Sequence, residues 1–396
     1  MRQIVFFSAI AAALVMAPVA PEAGNIVFLT TAALSLLGLR KADLRPVARP
    51  IVWMPLTGLV LLGTTYAIAA GSIAGLTGVL PFAPILAIWP LVALASRGDD
   101  PSPFLLATLC LVGVAGTTAV ALNDFLLTGS NRAGGSIANP IHFADVALLA
   151  GYLSLLGLVC LKSPQRYLYL LGPVLAAVSV AFSGTRGAIV ALVIMAGLAI
   201  VCAALFRLIN MRTLLLVVAL AATSLAIVFA VGVGQISGVQ RILVDMGDVL
   251  RTGMPTDYST AVRLGMYQGG VDAFLASPLF GHGPFAFVDA AAATQTAPLF
   301  VGAPHLHNDI VDFAASCGIV GLVAFCLFLF APLVDTMRAP ASPTRKGLIV
   351  LVAALTAGYF VMGLTNAMFG ILNLTVYFAA ICVVVGLVSR SRPGET

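Results

Sequence analysis

Apolar residues fall in long blocks, at approximately 4–20, 24–39, 51–71, 73–95, 104–124, 140–161, 167–183, 187–206, 213–234, 309–334, 347–366 and 369–388, with polar residues gathered between them. About 20 helical residues cross a hydrocarbon core of roughly 30 Å. The pattern therefore predicts an all-α polytopic membrane protein of about 12 transmembrane helices. Residues 1–20 also fit a signal peptide, with Arg2 ahead of an apolar run and small residues at Ala17 and Ala20. An uncleaved first span is the preferred reading, because a membrane protein needs no separate signal.

One connection is much longer than the rest. Residues 235–308 form a large loop between the ninth and tenth blocks, and loops of that size carry function or are disordered. This one is too apolar for disorder. Over residues 239–250, Ile242, Leu243, Met246 and Leu250 share one helical face while Arg241, Asp245 and Asp248 lie elsewhere, which predicts an amphipathic helix at the membrane surface. A second helix is expected over residues 260–275, carrying Arg263, stopped by Ser277-Pro278 and followed by a turn at Gly281-His282-Gly283-Pro284. The chain reads as a single membrane domain, 1–396, with part of its site on this loop.

Composition closes off the soluble classes. Of the 396 residues 61% are hydrophobic and 9% charged, and the mean hydropathy is +1.09, whereas a soluble domain carries about 25% charged residues. The six cysteines show no CxxC spacing, so neither a disulfide framework nor a thiolate metal site is expected. The net charge of +5 suggests a nucleic-acid partner only until the charges are placed. Fifteen of the 20 basic residues, including every lysine, fall in alternate loops, from Arg2 and Lys41 through Lys162 and Lys346 to Arg392. The positive-inside rule puts those loops and both termini in the cytoplasm. The basic balance is thus a topology signal, and no nucleic-acid partner is expected.

The outward loops keep five basic residues, Arg132, Arg186, Arg241, Arg251 and Arg263, and all four histidines. Topology does not ask for arginine there, whereas bidentate recognition of phosphate or carboxylate does. Arg186 sits in Ser183-Gly184-Thr185-Arg186-Gly187 at the head of a span, where a helix N-terminus favours an anion. Snorkelling to lipid headgroups explains each arginine singly but not the absence of lysine. In Pro304-His305-Leu306-His307-Asn308-Asp309 the long loop re-enters the membrane, and a helix capped by Asn308 or Asp309 would keep His307 neutral and able to take a proton. The alternative is an interfacial histidine that only packs. Asp309 and Asp312 remain as rival bases or as groups that orient His307. Arg132 and the Asn139-Pro140-Ile141-His142 stretch form another outward loop, read first as turn residues. His282, His305 and His307 lack standard zinc-ligand spacing, so no metal is expected.

Residues 183–325 resemble the O-antigen ligase and polymerase superfamily of bacterial envelope glycosyltransferases. The resemblance rests on Arg263-Leu264 through Ser277-Pro278-Leu279-Phe280-Gly281-His282-Gly283, on the arginine motif at Arg186, on the Asn139-Pro140-Ile141 loop, and on His307-Asn308, nine residues, then Gly318-Ile319-Val320-Gly321, which reproduces a ligase motif. It implies a GT-C-like enzyme of the bacterial inner membrane with its site in the periplasm and no cofactor. The donor would be an undecaprenyl-diphosphate-linked glycan and the acceptor a sugar hydroxyl of lipid A–core or another glycan. By the same resemblance Arg186 and Arg263 would bind the diphosphate and His307 would act as base, with Arg132, Asn139, His305, Asn308 and His282 as substrate-binding candidates. A polymerase acting on the same carrier shares the arginine layout. A transporter of lipid-linked solutes is the third reading, though it should carry ionisable groups near mid-bilayer or inverted repeats.

Overall fold

In the computed structural model, residues 2–40, 46–95, 101–208, 211–234, 257–295 and 299–390 are described, together with 244, 247, 248 and 250–252. The amphipathic helix expected over 239–250 lies mainly outside the described residues. Among those residues the chain is helical and contains no strand. The helices are α1 (Ile4–Val19), α2 (Pro21–Leu36), α3 (Pro50–Ala69), α4 (Ile73–Ala95), α5 (Pro103–Leu126), α6 (Pro140–Cys160), α7 (Pro164–Ser183), α8 (Arg186–Leu205), α9 (Met211–Gly234), α10 (Tyr258–Ala276), α11 (Phe287–Ala293), α12 (Asp309–Arg338), α13 (Arg345–Gly363) and α14 (Leu372–Val388).

Each apolar block is helical. Eight helices, α3 to α8 with α12 and α13, are long and apolar enough to cross a membrane. The chain is a multi-pass membrane protein, and the fuller count of about twelve spans remains a proposal. Two departures from regular spans have local causes. In α4 the stretch Ile73–Ala87 winds as a 3₁₀ helix, because Pro81 and Pro84 lack the N–H of an α-helical ladder and crowd the preceding turn. In α12 the φ and ψ of Gly318 are 63° and −148°, which no helix contains.

The bundle is organised around α12, which lies along α3 and also touches α13 and α14. Phe369, in the connection between α13 and α14, sits at the centre of the aromatic core. Its ring centroid is 5.0 Å from Tyr359 and Phe378, 5.5 Å from Phe328 and 5.9 Å from Phe325. Such pairs contribute about 0.5–1.5 kcal/mol each beyond their buried area, so this connection is held firmly. A second, smaller core joins α10 and α11 to the head of α12 through Met266, Ala273, Val288, Ala291, Leu306 and Val311.

At the opposite end of α12 a buried ion pair ties three helices together. Asp335 is 3% exposed and pairs with Arg49, which precedes α3. Arg49 Nη1 also donates to Gly386 O at 2.6 Å, and Nη2 to Ser389 Oγ at 2.8 Å. Removing one partner leaves the other charge uncompensated in a low dielectric. Arg49→Ala is therefore expected to destabilise the fold by about 3–5 kcal/mol, read as a lowered Tm in detergent; a melt matching the wild type would show that water already solvates Asp335.

Candidate active site

The heads of α8 and α12, the first turns of α10 and the connection after α13 meet at one end of the bundle. Gly184, in the left-handed region at φ 63°, ends α7, and Thr185 stands at the N-cap position of the next helix, so Arg186 is the first residue of α8. Gly187 lets this turn approach the α13–α14 connection, since a Cβ there would stand 2.1 Å from Thr365 Oγ1. Arg132 supports the same turn from the side, its Nε donating to Ser183 O at 3.0 Å and its Nη2 reaching Thr185 Oγ1 at 3.4 Å.

Arg186 reaches across to the start of α10. Its Nη2 lies 2.9 Å from Asp257 Oδ2, and its Nη1 donates to Thr260 Oγ1 at 3.2 Å. Asp257 is also the N-cap of α10, accepting from Thr260 N at 3.0 Å. Burial alone would raise the Asp257 carboxyl, but the bonds from Arg186 and Thr260 prevail and hold it below the usual carboxylate range. Arg263 and Tyr267 follow on α10, four residues apart and hence on one face. Arg263 is half-buried and forms no hydrogen bond or ion pair among the described residues. Burial lowers its pKa, and the nearby Arg186 acts in the same direction while Tyr267 and Asp257 oppose it. A partly desolvated guanidinium without a protein acceptor is prepared for an anion.

The histidine segment is held between α10 and the α13–α14 connection. The Tyr267 hydroxyl lies 3.1 Å from His307 O and 3.0 Å from Leu364 O, so its proton bridges the two stretches. Asn308 caps α12, with Oδ1 accepting from Ile310 N at 3.0 Å and Val311 N at 3.3 Å, while Nδ2 donates to Leu364 O at 3.1 Å. Asp309 Oδ1 accepts from Met368 N and Phe369 N at 2.9 and 3.2 Å, and Asp312 Oδ1 from Leu306 N at 2.7 Å. Asp312 thus holds the backbone just before His307, and Asp309 ties the head of α12 to the α13–α14 connection, which favours the orienting role over that of a rival base. His307 itself has φ 56°, a left-handed conformation rare outside glycine.

The His305 and His307 rings meet edge to face with centroids 4.1 Å apart. Burial lowers the pKa of His307 to about 4, with Arg263 and His142 adding to the shift and Asn366 opposing it. His305 falls to about 3, again chiefly through burial, then through His307, His142 and Arg263. His305 also borders a cavity of about 260 Å³ whose walls include Tyr66, Phe82, Phe287, Asp312 and Phe369.

Arg186, Arg263, His305, His307 and Asn308 are therefore brought together. The other candidates stand differently. Asn139 caps α6 by accepting from Ile141 N at 2.9 Å. His282 is hydrogen-bonded through Nε2 to Ala273 O at 2.8 Å, and its turn docks into the break in α12, where Ile319 N donates to Pro278 O at 2.8 Å. Sequence reasoning did not find Asp257, Tyr267, Asp145 or Asn366. Only Asp257 carried a local signal, as a capping residue three positions ahead of Thr260.

Residues 171–326 match the family model described as O-antigen ligase. Over that stretch the match supports the O-antigen ligase/polymerase superfamily as the one this chain resembles. No curated protein matches it. The matched stretch holds both arginines, the histidine segment and the glycines that follow it. Members of the O-antigen ligase family are glycosyltransferase-like enzymes, ligases or polymerases, working on a lipid-linked glycan and a glycan acceptor.

The nine-residue spacing of the ligase motif acquires a physical meaning from the break in α12. A half-helix of that length runs from Asn308 to Gly318, and a Cβ on Gly318 would stand 2.5 Å from Pro278 O. Gly318→Ala combines that clash with a backbone region that only glycine tolerates, at a cost of about 1–3 kcal/mol for the strain alone. It is expected to lower Tm and release the 277–284 turn to protease; an unchanged melt and digestion pattern would contradict this.

Proposed function

We propose that this protein is a glycosyltransferase of the ligase type, moving a glycan from undecaprenyl diphosphate to a sugar hydroxyl of lipid A–core or another glycan on the periplasmic face of a bacterial inner membrane. The observation that carries the reading is Arg263: a half-buried cation without a protein acceptor among the described residues, within electrostatic reach of Arg186 and of a neutral histidine. In this reading both termini are cytoplasmic.

The diphosphate displaces Asp257 from Arg186 and is held between the two guanidinium groups. An apolar cavity of about 310 Å³ along α8, bordered by Leu192, Val193 and Ala196 and by Val217 and Ala221 of α9, suits part of the prenyl tail. It begins about 9 Å below Arg186 at 1.5 Å per residue. His307 takes the proton from the acceptor hydroxyl, whose oxygen forms the new bond to the anomeric carbon. The bond from that carbon to the diphosphate breaks, and its electron pair leaves with the carrier, where the added negative charge meets Arg186 and Arg263. Fixed charge aimed at a leaving group is generally the largest single contribution to such a step, and a general base adds about 10²–10⁴-fold.

Deleting the gene in its host and complementing it with single variants tests the reading. Complete loss of long glycan from lipid A–core, with glycan accumulating on the carrier lipid, is the expected result. Arg186→Ala, Arg263→Ala and His307→Ala should all fail to restore it, the arginine variants at least as severely as His307→Ala. Single repeat units still attached to core would mean a polymerase, and unchanged lipopolysaccharide would direct attention to another polysaccharide or to transport.

The pH dependence follows from the lowered His307 pKa. The neutral form is the base, so lowering the pKa extends activity toward acid. In purified enzyme kcat/KM, which reports the free enzyme, should stay level from about pH 8 to about 5 and fall only toward about 4. An acid limb near the unperturbed value of about 6.5 would show an imidazole exposed to water.

Asp257→Asn keeps a capping side chain but frees Arg186 from its carboxylate. The donor KM should fall or hold while Tm changes little; a severe loss of kcat would instead make Asp257 part of the reacting site.

A further inference from the structure

Asn366 lies in the connection after α13 and is 1% exposed, as is Asp145 on α6. Its Nδ2 donates to Asp145 Oδ2 at 3.2 Å. Because a carboxylate accepts and an amino group donates, this bond fixes which way round the carboxamide stands. Its oxygen is then turned away from Asp145, and Oδ1 is buried with no hydrogen-bond partner. His307 Nδ1 is likewise buried and without a partner. The two stretches carrying these atoms are joined by Tyr267 and Asn308, which both contact Leu364 O, and by Asp309, which holds the backbone at Met368 and Phe369. Asn366 stands close enough to the His307 ring to favour its protonated form, as an acceptor oxygen facing a ring nitrogen would.

A buried donor or acceptor left without a partner is costly, so two complementary orphans on stretches tied together in this way call for one bond between them. We infer that Asn366, oriented by Asp145, is the positioning residue that sets the tautomer of His307: Nδ1–H donates to Asn366 Oδ1, and the Nε2 lone pair is left to face the acceptor hydroxyl. A histidine free to choose would spend part of its time with the proton on Nε2, where it cannot act as a base. Asn366 touches no reacting atom and acts through the imidazole. The catalytic part of the inference rests on the base role proposed for His307, but the tautomer does not.

The test reads the tautomer directly, without substrate. The full-length protein is labelled with ¹⁵N-histidine, purified in detergent at neutral pH, and the His307 resonances are identified by their loss in His307→Ala. The wild type should show His307 protonated at Nδ1. Asn366→Ala should convert it to a mixture or to the Nε2–H form and lower kcat at least about 10-fold with KM little changed. The exchanged pair Asp145→Asn with Asn366→Asp should return the proton to Nδ1, since the new carboxylate accepts from the ring and the new amide donates to it. An Nε2–H tautomer in the wild type overturns the inference even if Asn366→Ala fails to fold. So does an unchanged tautomer in a folded Asn366→Ala protein. A tautomer that shifts as expected while glycan transfer continues undiminished would uphold the positioning role and remove His307 as the base.

Discussion

The arrangement at the working end of the bundle depends on one junction, the docking of residues 305–309 onto the connection that follows α13. His307 occupies a left-handed backbone conformation that costs about 1–3 kcal/mol for a side-chain-bearing residue, so something must hold it there. Tyr267 bridges the carbonyls of His307 and Leu364, Asn308 both caps α12 and reaches Leu364, and Asp309 receives the N–H groups of Met368 and Phe369. Phe369 carries the constraint into the aromatic core through its five ring contacts. The imidazole is therefore placed by helix packing well away from it. The same junction brings α10, and with it Arg263, against the head of α12.

Electrostatics at this end run against ordinary stability. Arg186, Arg263, His142, His305 and His307 crowd together, and Asp257 is the one carboxylate whose ion pair with this group is described. Burial first, with Arg263 adding to it, keeps His305 and His307 neutral, which removes part of the repulsion, but Arg263 stays charged and without a protein partner among the described residues. Titratable groups perturbed in this way cluster at functional sites. The other end of α12 is different in kind: Arg49 and Asp335 satisfy each other there and hold three helices in register.

Much of this was legible in the sequence, because two of its signals are physical and local. Blocks of apolar residues can only be helices in lipid, and every block is helical. The histidine spacing pointed to the head of a span, and His307 and Asn308 do stand there, whereas anion recognition by the arginines read as outward is a proposal. What was hidden depends on tertiary contact. The apolar pattern of the eleventh block continues to residue 366, because Leu364 and Thr365 do not interrupt it, yet the helix ends at Gly363. The N–H groups of this connection that Asp309 accepts lie some sixty positions away, and no local pattern announces them. That boundary hid Asn366, just as α6 hid Asp145 as one polar residue in an apolar helix. The spacing from Asn308 to Gly318 was visible, but not that it measures a half-helix ending where another turn docks. Asn139 and His282, by contrast, proved to be engaged as a cap and a turn anchor.

The central claim is that Arg186 and Arg263 form a diphosphate site beside a separate base. The most direct measurement is the affinity of purified protein in nanodiscs for undecaprenyl diphosphate carrying no glycan, compared among wild type, Arg263→Ala and His307→Ala. A charge-assisted bond is worth about 1.5–3 kcal/mol, so Arg263→Ala should weaken binding about 10- to 100-fold while His307→Ala binds nearly as the wild type does. Equal affinity in wild type and Arg263→Ala would contradict the account, since the unpaired guanidinium would then be serving something other than the carrier's diphosphate.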